Sequence, residues 1–420
     1  MPVELAERDR ALLSGAEGEA SALAMRIVVE MAGVMGADRL IDVASAHVDS
    51  CLYHGLAGLD FAERLAAGGA RVTVPTTLNV GYLDLLHPDP NRGDPQATAK
   101  ARRQMDLYAA MGARPTWTCA PYQLPERPAF GQHVAWAESN AIAFCNSVLG
   151  ARTNRYGDFL DVCAAITGRV PFAGLHRDEE RRARLVLRLD GVPERLLGGD
   201  VLYPVLGHLL GHEAGSAVAA IAGLPPDTSE DRLKAIGAAG ASSGSVAMFH
   251  VVGVTPEAPT LEAATGGVPV PEVVVTLDRL RAARDELSTA AGERLGAVSV
   301  GTPHASLAEL ERLVGLVALN PPRVPFFVNT GRDVLAEAAS RDLLGQLEAA
   351  GVRIVTDTCT YLAPIMGEID GPVMTDSGKW AWYAPGNIGV DVVFGALEEC
   401  VGSAAAGRVV RDETLWGPDA

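Results

Sequence analysis

Residues able to do chemistry gather in six short segments of the chain: SAHVDSCLYHG (45–55), PTTLN (75–79), TCAPY (118–122), NSVLGARTNRYGD (146–158), TDTCTYLAP (356–364) and MTDSGKWAWY (374–383). Cys119 follows the strand-like TWT and Cys359 follows RIVTDT, each just before a polar loop. A thiolate at a strand end facing a cleft is suited to binding metal; the competing reading is a small buried hydrophobe. Cys145 and Cys163 fall in helical patterns, and Cys51 and Cys400 are assigned to packing. Arg152 and Arg155 stand three apart beyond a helix end, where guanidinium forks can take a carboxylate or phosphate, or simply pair on the surface. Asn146 and Ser147, just before them, can hydrogen-bond a hydroxyl or amine. Ser377 and Lys379 share a Gly-containing loop with Asp376, which suits an anion or a plain turn. His47 and His54 bracket Asp49, whereas His250 sits in an apolar stretch and reads as a core histidine. HLLGH (208–212) has the i,i+4 spacing of a zinc pair but lacks the Glu of HExxH, and GTPH has no P-loop order.

The elements that must position these segments alternate helix with short apolar strand. A helical hairpin is expected over about 5–13 and 19–35, broken at GAEGE, then a strand over RLIDVASA, a helix over FAERLAAGG and a strand over RVTVPTTLNV. ATAKARRQMDLYAAMGA, HVAWAESNAIAFCNSVLG and DFLDVCAAITG read as helices, the last two ending at Gly150 and Gly168. HRDEERRARLVLRLDGVPERLLGGD reads as a surface segment or boundary. From AVSVGTPHA onward a strand–loop–helix rhythm resumes through RVPFFVNT, DVLAEAASRDLLGQLEAAG and RIVTDT. The pattern predicts a multi-domain α/β chain with α/β/α layers and mostly parallel sheets. Lobes are expected over 1–196 and 296–420, with a middle α/β segment over 197–295. The six polar segments are read as loops just after predicted strands, where α/β sheets place their sites.

Composition excludes several functions. The 420 residues carry a net charge of −17 with no basic stripe, which argues against nucleic acid and against anionic membranes as partners. The apolar fraction of 48% is too high for a disordered chain. The start carries acids and no continuous apolar run, and no stretch has the length of a membrane span, so a soluble cytoplasmic protein is expected. Six scattered cysteines, with no CxxC, suit neither a disulfide framework nor a zinc ribbon.

TCAPY, HVAWAESNAIAFCNSVLGARTNRYGDF, AAITGRVPFAGLH, SSGSVAMFHVVGVTPEAP, TDTC and the S-x-K of DSGKWAWY together resemble the aconitase X family, the dehydratase branch of the aconitase superfamily. The resemblance runs over nearly the whole chain and is most specific from Trp136 to His176. It implies a hydro-lyase with an iron–sulfur cluster, [2Fe–2S] or cubane-type, as Lewis acid on the leaving hydroxyl of a small hydroxy acid. One branch of the family dehydrates cis-3-hydroxy-L-proline and the other mevalonate 5-phosphate; RYGDFLDVCAAITGR (155–169) looks like the first, since the second generally carries an Arg-Glu and small-residue stretch there. Carried over by motif, Cys119 and Cys359 are the expected cluster ligands, with Cys163 third and Cys145 close behind. Ser45, His47, Ser377 and Lys379 become the expected catalytic set. Thr77, Asn79, Asn146, Ser147, Arg152 and Arg155 become the expected substrate-binding set, with Arg152, Arg155 and Lys379 as cations for the substrate carboxylate. The family's small swivelling domain, which carries the serine base in aconitase relatives, has no counterpart here. A small swivelling subunit is therefore expected as partner. The rival reading is a metal-free, noncatalytic subunit that docks a partner.

Overall fold

The computed structural model describes residues 3–88, 93–412 and 414–417. The chain divides into two compact units, the first formed by Met1–Leu83 with Asp94–Arg182, the second by Asp84–Gly93 with Ala183–Ala420.

The first unit opens with the expected hairpin, Glu7–Ser14 and Glu19–Val34. Gly15 and Gly18, at φ 83° and 102°, make the break, since such angles suit residues without a Cβ. The longer helix buries Ala24, Met25, Val28 and Ala32 on one face, which packs on the wholly buried helix Leu160–Thr167. Asp9 on the first helix accepts two bonds from Arg169, at 2.8 and 3.1 Å, so a buried ion pair fastens the hairpin to the short strand Arg169–Pro171. The unit's main sheet has three parallel strands in the order Thr76–Leu78, Ala46–Val48, Ala135–Trp136.

Several sequence expectations are corrected here. RLIDVASA forms two strands in two sheets, Leu40–Asp42 pairing antiparallel with Arg169–Pro171 and Ala46–Val48 entering the parallel sheet. TWT forms no strand; residues 115–118 run irregularly, with Trp117 at φ 46°, into the short turn Pro121–Gln123. HVAWAESNAIAFCNSVLG begins as the strand Ala135–Trp136 and becomes helical only at Ser139–Ser147, because Glu138 takes φ 73° and caps that helix.

The second unit holds two parallel sheets. The first has the order Phe249–Val251, Ala219–Ala222, Leu185–Leu189, Glu272–Val275. Leu185–Leu189, from the charge-rich segment read as a surface segment or boundary, is thus an interior strand of its sheet. The helices Leu202–Ala214 and Glu230–Ser243 cross at almost bare backbone: a Cβ on Gly207 would sit 2.4 Å from the Ile236 carbonyl oxygen, and one on Gly211 2.1 Å from Ser243 Oγ. Here the glycine-rich composition has a packing reason.

The second sheet has five parallel strands in the order Val352–Val355, Phe326–Thr330, Ala297–Ala305, Val373–Thr375, Val392–Phe394. DVLAEAASRDLLGQLEAAG splits into the helices Arg332–Ser340 and Leu343–Ala349, with Asp342 at φ 59° between them. The MTDSGKWAWY segment is strand and helix rather than loop: Ser377 caps the helix Gly378–Ile388 and Lys379 lies in its first turn. Among the described residues no helix is long and apolar enough to cross a membrane.

Candidate active site

Parallel strands end together, so the residues that follow them share one edge of the sheet. In the first unit His47 lies opposite Thr77 on one side and Trp136 on the other. Two residues onward, Asp49, Asn79 and Glu138 emerge at the same edge. Asn79 Nδ2 donates to Asp49 Oδ1. Glu138 Oε2 accepts from Ala141 N at 2.9 Å and from Asn140 Nδ2, and Asn140 Nδ2 also donates to the Cys119 carbonyl at 2.8 Å. Tyr122 OH donates to Asn140 Oδ1 at 2.6 Å, so the backbone of Cys119 is held by the same network that orients Glu138. From below, Asp161 receives the Asp49 and Ser50 N–H groups at 2.7 and 2.9 Å and the Ser50 hydroxyl.

This edge concentrates carboxyl groups in a place where charge is costly. Burial, with Glu138 and Asp158 adding repulsion, raises the Asp49 pKa to about 8, although the Asn79 amide opposes it. Burial raises Asp161 to about 6 despite its Ser50 bonds. Asp49 is therefore a carboxylic acid at neutral pH, able to donate a proton. His47 is fully buried, and that burial lowers its pKa to about 3. Its Nδ1 meets Thr77 Oγ1 at 2.8 Å, while Nε2 and Asn79 Oδ1 are buried with no well-formed hydrogen bond. Such orphaned atoms are costly unless they serve a ligand.

The second unit builds its polar edge from the ends of the five-stranded sheet. The loop 356–360, TDTCT, is fully buried, and its neighbours hold it almost residue by residue. Thr356 donates from N and Oγ1 to Asp84 at 3.0 and 3.1 Å. Asp357, at φ 61°, takes a bidentate pair from Arg332 at 2.6 and 2.7 Å and the Leu85 N–H at 3.2 Å. His304 Nε2 bonds the Thr358 carbonyl at 3.2 Å. Thr360 meets Ser299 Oγ at 2.6 Å, Trp380 Nε1 at 2.9 Å and, through its N–H, Asn329 Oδ1 at 3.1 Å. Cys359 sits inside this frame, and a ligand atom of His304 lies within 4.8 Å of its sulfur. Burial lowers the His304 pKa to about 4, with the charges of Lys234 and Lys379 adding to the effect. A neutral imidazole beside a buried thiol is a soft donor set, and it fits thiolate-bound iron.

The expected site residues divide clearly. His47, Thr77 and Asn79 meet at the first unit's strand ends, and Ser45 enters that sheet through its carbonyl, which accepts from Ala135 N at 2.9 Å. Ser377 and Lys379 meet at the second unit's edge. Ser377 Oγ donates to the Thr302 carbonyl and accepts from Trp380 N, and both residues line a cavity of about 230 Å³ with Lys234, Glu309, Arg312 and Asp376. Burial, with Glu309 as the main neighbouring charge, raises the Asp376 pKa to about 7. Asn146 does different work. Its amide clips the 146–153 loop through Thr153, and Arg181 binds its side chain and carbonyl. Arg152 donates to Asp178 and to the His176 carbonyl, while Arg155 is exposed. Ser147 is buried at the end of its helix, and Cys145 and Cys163 are buried within theirs, with burial raising both thiols. Sequence reasoning missed Asp49, Glu138, Asp84 and His304. For His304 the signal was a buried-strand pattern, AVSVGTPHA, carrying a histidine next to its end.

Residues 2–179, 183–285 and 295–406 match the families described as Aconitase X first, second and third domain. The chain is 46% identical over 419 residues to a cis-3-hydroxy-L-proline dehydratase of Pseudomonas aeruginosa, covering 97% of this chain and 71% of that one. A protein of the same name from Hypocrea jecorina is 42% identical, with 97% and 69% covered. A phosphomevalonate dehydratase large subunit of Methanothermobacter thermautotrophicus is 38% identical, with 93% and 96% covered. Among solved structures, the holo-form of Thermococcus kodakaraensis aconitase X superposes with a TM-score of 0.86 at 34% identity, covering 96% of this chain and all of that one.

Proposed function

The chain belongs to the aconitase X family, and we propose that within it this protein dehydrates cis-3-hydroxy-L-proline. The observation that carries the reading is the 46% and 42% identity, over nearly the whole chain, to two proteins of that name. The reaction breaks the C–H bond alpha to the carboxylate and the C–O bond beta to it, forms a C=C bond and releases water; the enamine then tautomerises to 1-pyrroline-2-carboxylate.

In this reading Asp49 holds the proton that the departing hydroxyl needs, because its carboxyl stays protonated at neutral pH. His47 presents a neutral imidazole whose Nε2, like Asn79 Oδ1, makes no well-formed hydrogen bond, with Thr77 meeting Nδ1 and the Asn79 side chain beside the ring. Lys379, buried at the second unit's edge and oriented by the Ser377 cap, supplies the cation for the substrate carboxylate, a role the net charge of −17 makes necessary. Cys119 and Cys359 are the proposed cluster ligands on the family motifs, with His304 as the third donor ahead of Cys163. When bound, an iron–sulfur cluster supplies a Lewis acid for the leaving hydroxyl. The designation of the Methanothermobacter relative as a large subunit supports a small subunit as partner, and its 96% coverage is what favours mevalonate 5-phosphate as the second substrate reading. Placement in the cytoplasm belongs to the same proposal.

The test is anaerobic coexpression with the small partner, iron and sulfide analysis, and assay of both substrates. Turnover of cis-3-hydroxy-L-proline, lost with the cluster in Cys119→Ser, is expected. Turnover of mevalonate 5-phosphate alone, or a Cys119→Ser variant with full cluster and activity, overturns the reading.

A further inference from the structure

Away from the polar edges described above, the helix Leu202–Ala214 presents His208 and His212 one turn apart, and the helix Leu277–Glu286 brings Glu286 against both. One carboxylate oxygen, Oε2, lies 3.1 Å from His208 Nε2 and 3.5 Å from His212 Nδ1. One ligand atom from each of the three residues lies within 4.8 Å of the other two. The imidazole rings lie with centroids 4.4 Å apart, tilted by 52°, and Trp382 packs on both, at 5.5 and 6.0 Å.

These spacings are those of ligands sharing one ion. Tetrahedral zinc with bonds of about 2.0–2.1 Å places its ligand atoms about 3.3–3.4 Å apart. The two observed separations bracket that value. The longer one is too long for a strong hydrogen bond, so hydrogen bonding alone does not account for the arrangement. The donor types agree as well: two imidazoles and a carboxylate form the three-ligand set that leaves a fourth position to water. His208 is buried and so held in one rotamer, while His212 and Glu286 are 39% and 55% exposed, which gives an ion a way in from solvent. HLLGH lacks the general-base glutamate of HExxH, but its two histidines keep the i,i+4 ligand spacing, and another helix brings a carboxylate to ligand distance.

We propose that His208, His212 and Glu286 form a binding site for a divalent transition ion of the zinc class, which fastens the helices Leu202–Ala214 and Leu277–Glu286 together. The site is independent of the iron–sulfur ligands and of the substrate reading. An ion that binds only the folded chain stabilises it by mass action.

The test is calorimetric titration of the full, cluster-loaded chain with Zn²⁺, in the wild type, His212→Ala and Glu286→Gln, together with zinc-edge X-ray absorption of the loaded wild type. One tight Zn²⁺ per chain is expected, weakened roughly tenfold or more in each variant by the loss of a ligand. The absorption spectrum should show a nitrogen/oxygen shell at about 2.0–2.1 Å and no sulfur at about 2.3 Å. Zinc should raise the unfolding temperature of the wild type and not of His212→Ala, whose zinc-free unfolding temperature should match the wild type because His212 is a partly exposed side chain. Equal Zn²⁺ affinity in wild type and His212→Ala, no Zn²⁺ binding, or a sulfur shell overturns the proposal.

Discussion

Replacing Asp49 by asparagine removes an ionisable group while keeping its shape and its contact with Asn79. The folded chain holds the Asp49 pKa at about 8, against 3.8 for the free side chain. A carboxyl raised in this way favours the folded state when protonated, so its contribution is fully present below about pH 4. That contribution is lost progressively as pH rises toward 8. Each pH unit inside that window costs about 1.4 kcal/mol. Between about pH 6 and pH 8 the wild type should therefore lose about 2.7 kcal/mol through this one group, or about 2 kcal/mol once solvent at its partly exposed edge is counted. The amide of the Asp49→Asn variant has no such dependence, and Asp161, raised to about 6, is present in both proteins and drops out of the difference. Urea unfolding at the two pH values, followed by tryptophan fluorescence, measures this directly. Asp49→Asn should gain on the wild type by about 2–3 kcal/mol between the two, while dehydratase turnover falls at least about 100-fold through loss of the proton donor. Parallel pH dependence in the two proteins would refute the assignment of Asp49 as the protonated acid.

Asp84→Ala strips the acceptor from the buried N–H and hydroxyl of Thr356, which should cost about 2–4 kcal/mol and loosen the Cys359 loop; iron content per chain should fall with it, and unchanged iron would show that Asp84 does not hold the loop. Arg332→Met leaves Asp357 buried without its cation, a loss of about 3–5 kcal/mol that should shrink in thermal unfolding as pH falls and Asp357 takes up a proton; a deficit independent of pH would contradict the pairing. Arg152→Ala should leave KM within about twofold, because its fork is engaged with the exposed Asp178 and lends only about 0–1 kcal/mol. A tenfold rise in KM would instead make Arg152 a substrate ligand.

The sequence reading was strongest where one element decides its own structure. The hairpin at Glu7–Ser14 and Glu19–Val34 follows from helical periodicity and two glycines, and the helix Leu160–Thr167 ends where Gly168 takes φ 69°. It failed where a distant partner decides. TWT has strand composition, yet beyond the bridge at Arg114 it is not taken into a strand ladder, and it turns at Trp117. HVAWA has helical composition, yet Ala46–Val48 recruits it as a strand. GARTNR looked like an anion fork because its partners, Asp178 and the His176 carbonyl, lie more than twenty residues away.

The same limit explains which functional residues stayed hidden. SAHVDS, PTTLN and HVAWAES each show a histidine, threonine or tryptophan followed two places later by an acid or amide, and nothing in the three strings says that they align. Once His47 is set opposite Thr77 and Trp136, strand geometry forces Asp49, Asn79 and Glu138 onto one edge. The pKa of Asp49 is thus a property of register. Its sequence neighbours, Val48 and Ser50, would leave it an ordinary carboxylate; burial and the charges of Glu138 and Asp158, 89 and 109 residues onward, make it an acid. A slip of one residue in the strand Ala135–Trp136 would turn Glu138 to the opposite face and remove its share of the rise, whereas a slip in Thr76–Leu78 would remove the Asn79 amide that opposes it. The chemistry proposed for Asp49 therefore depends on strand pairing as much as on the identity of that residue.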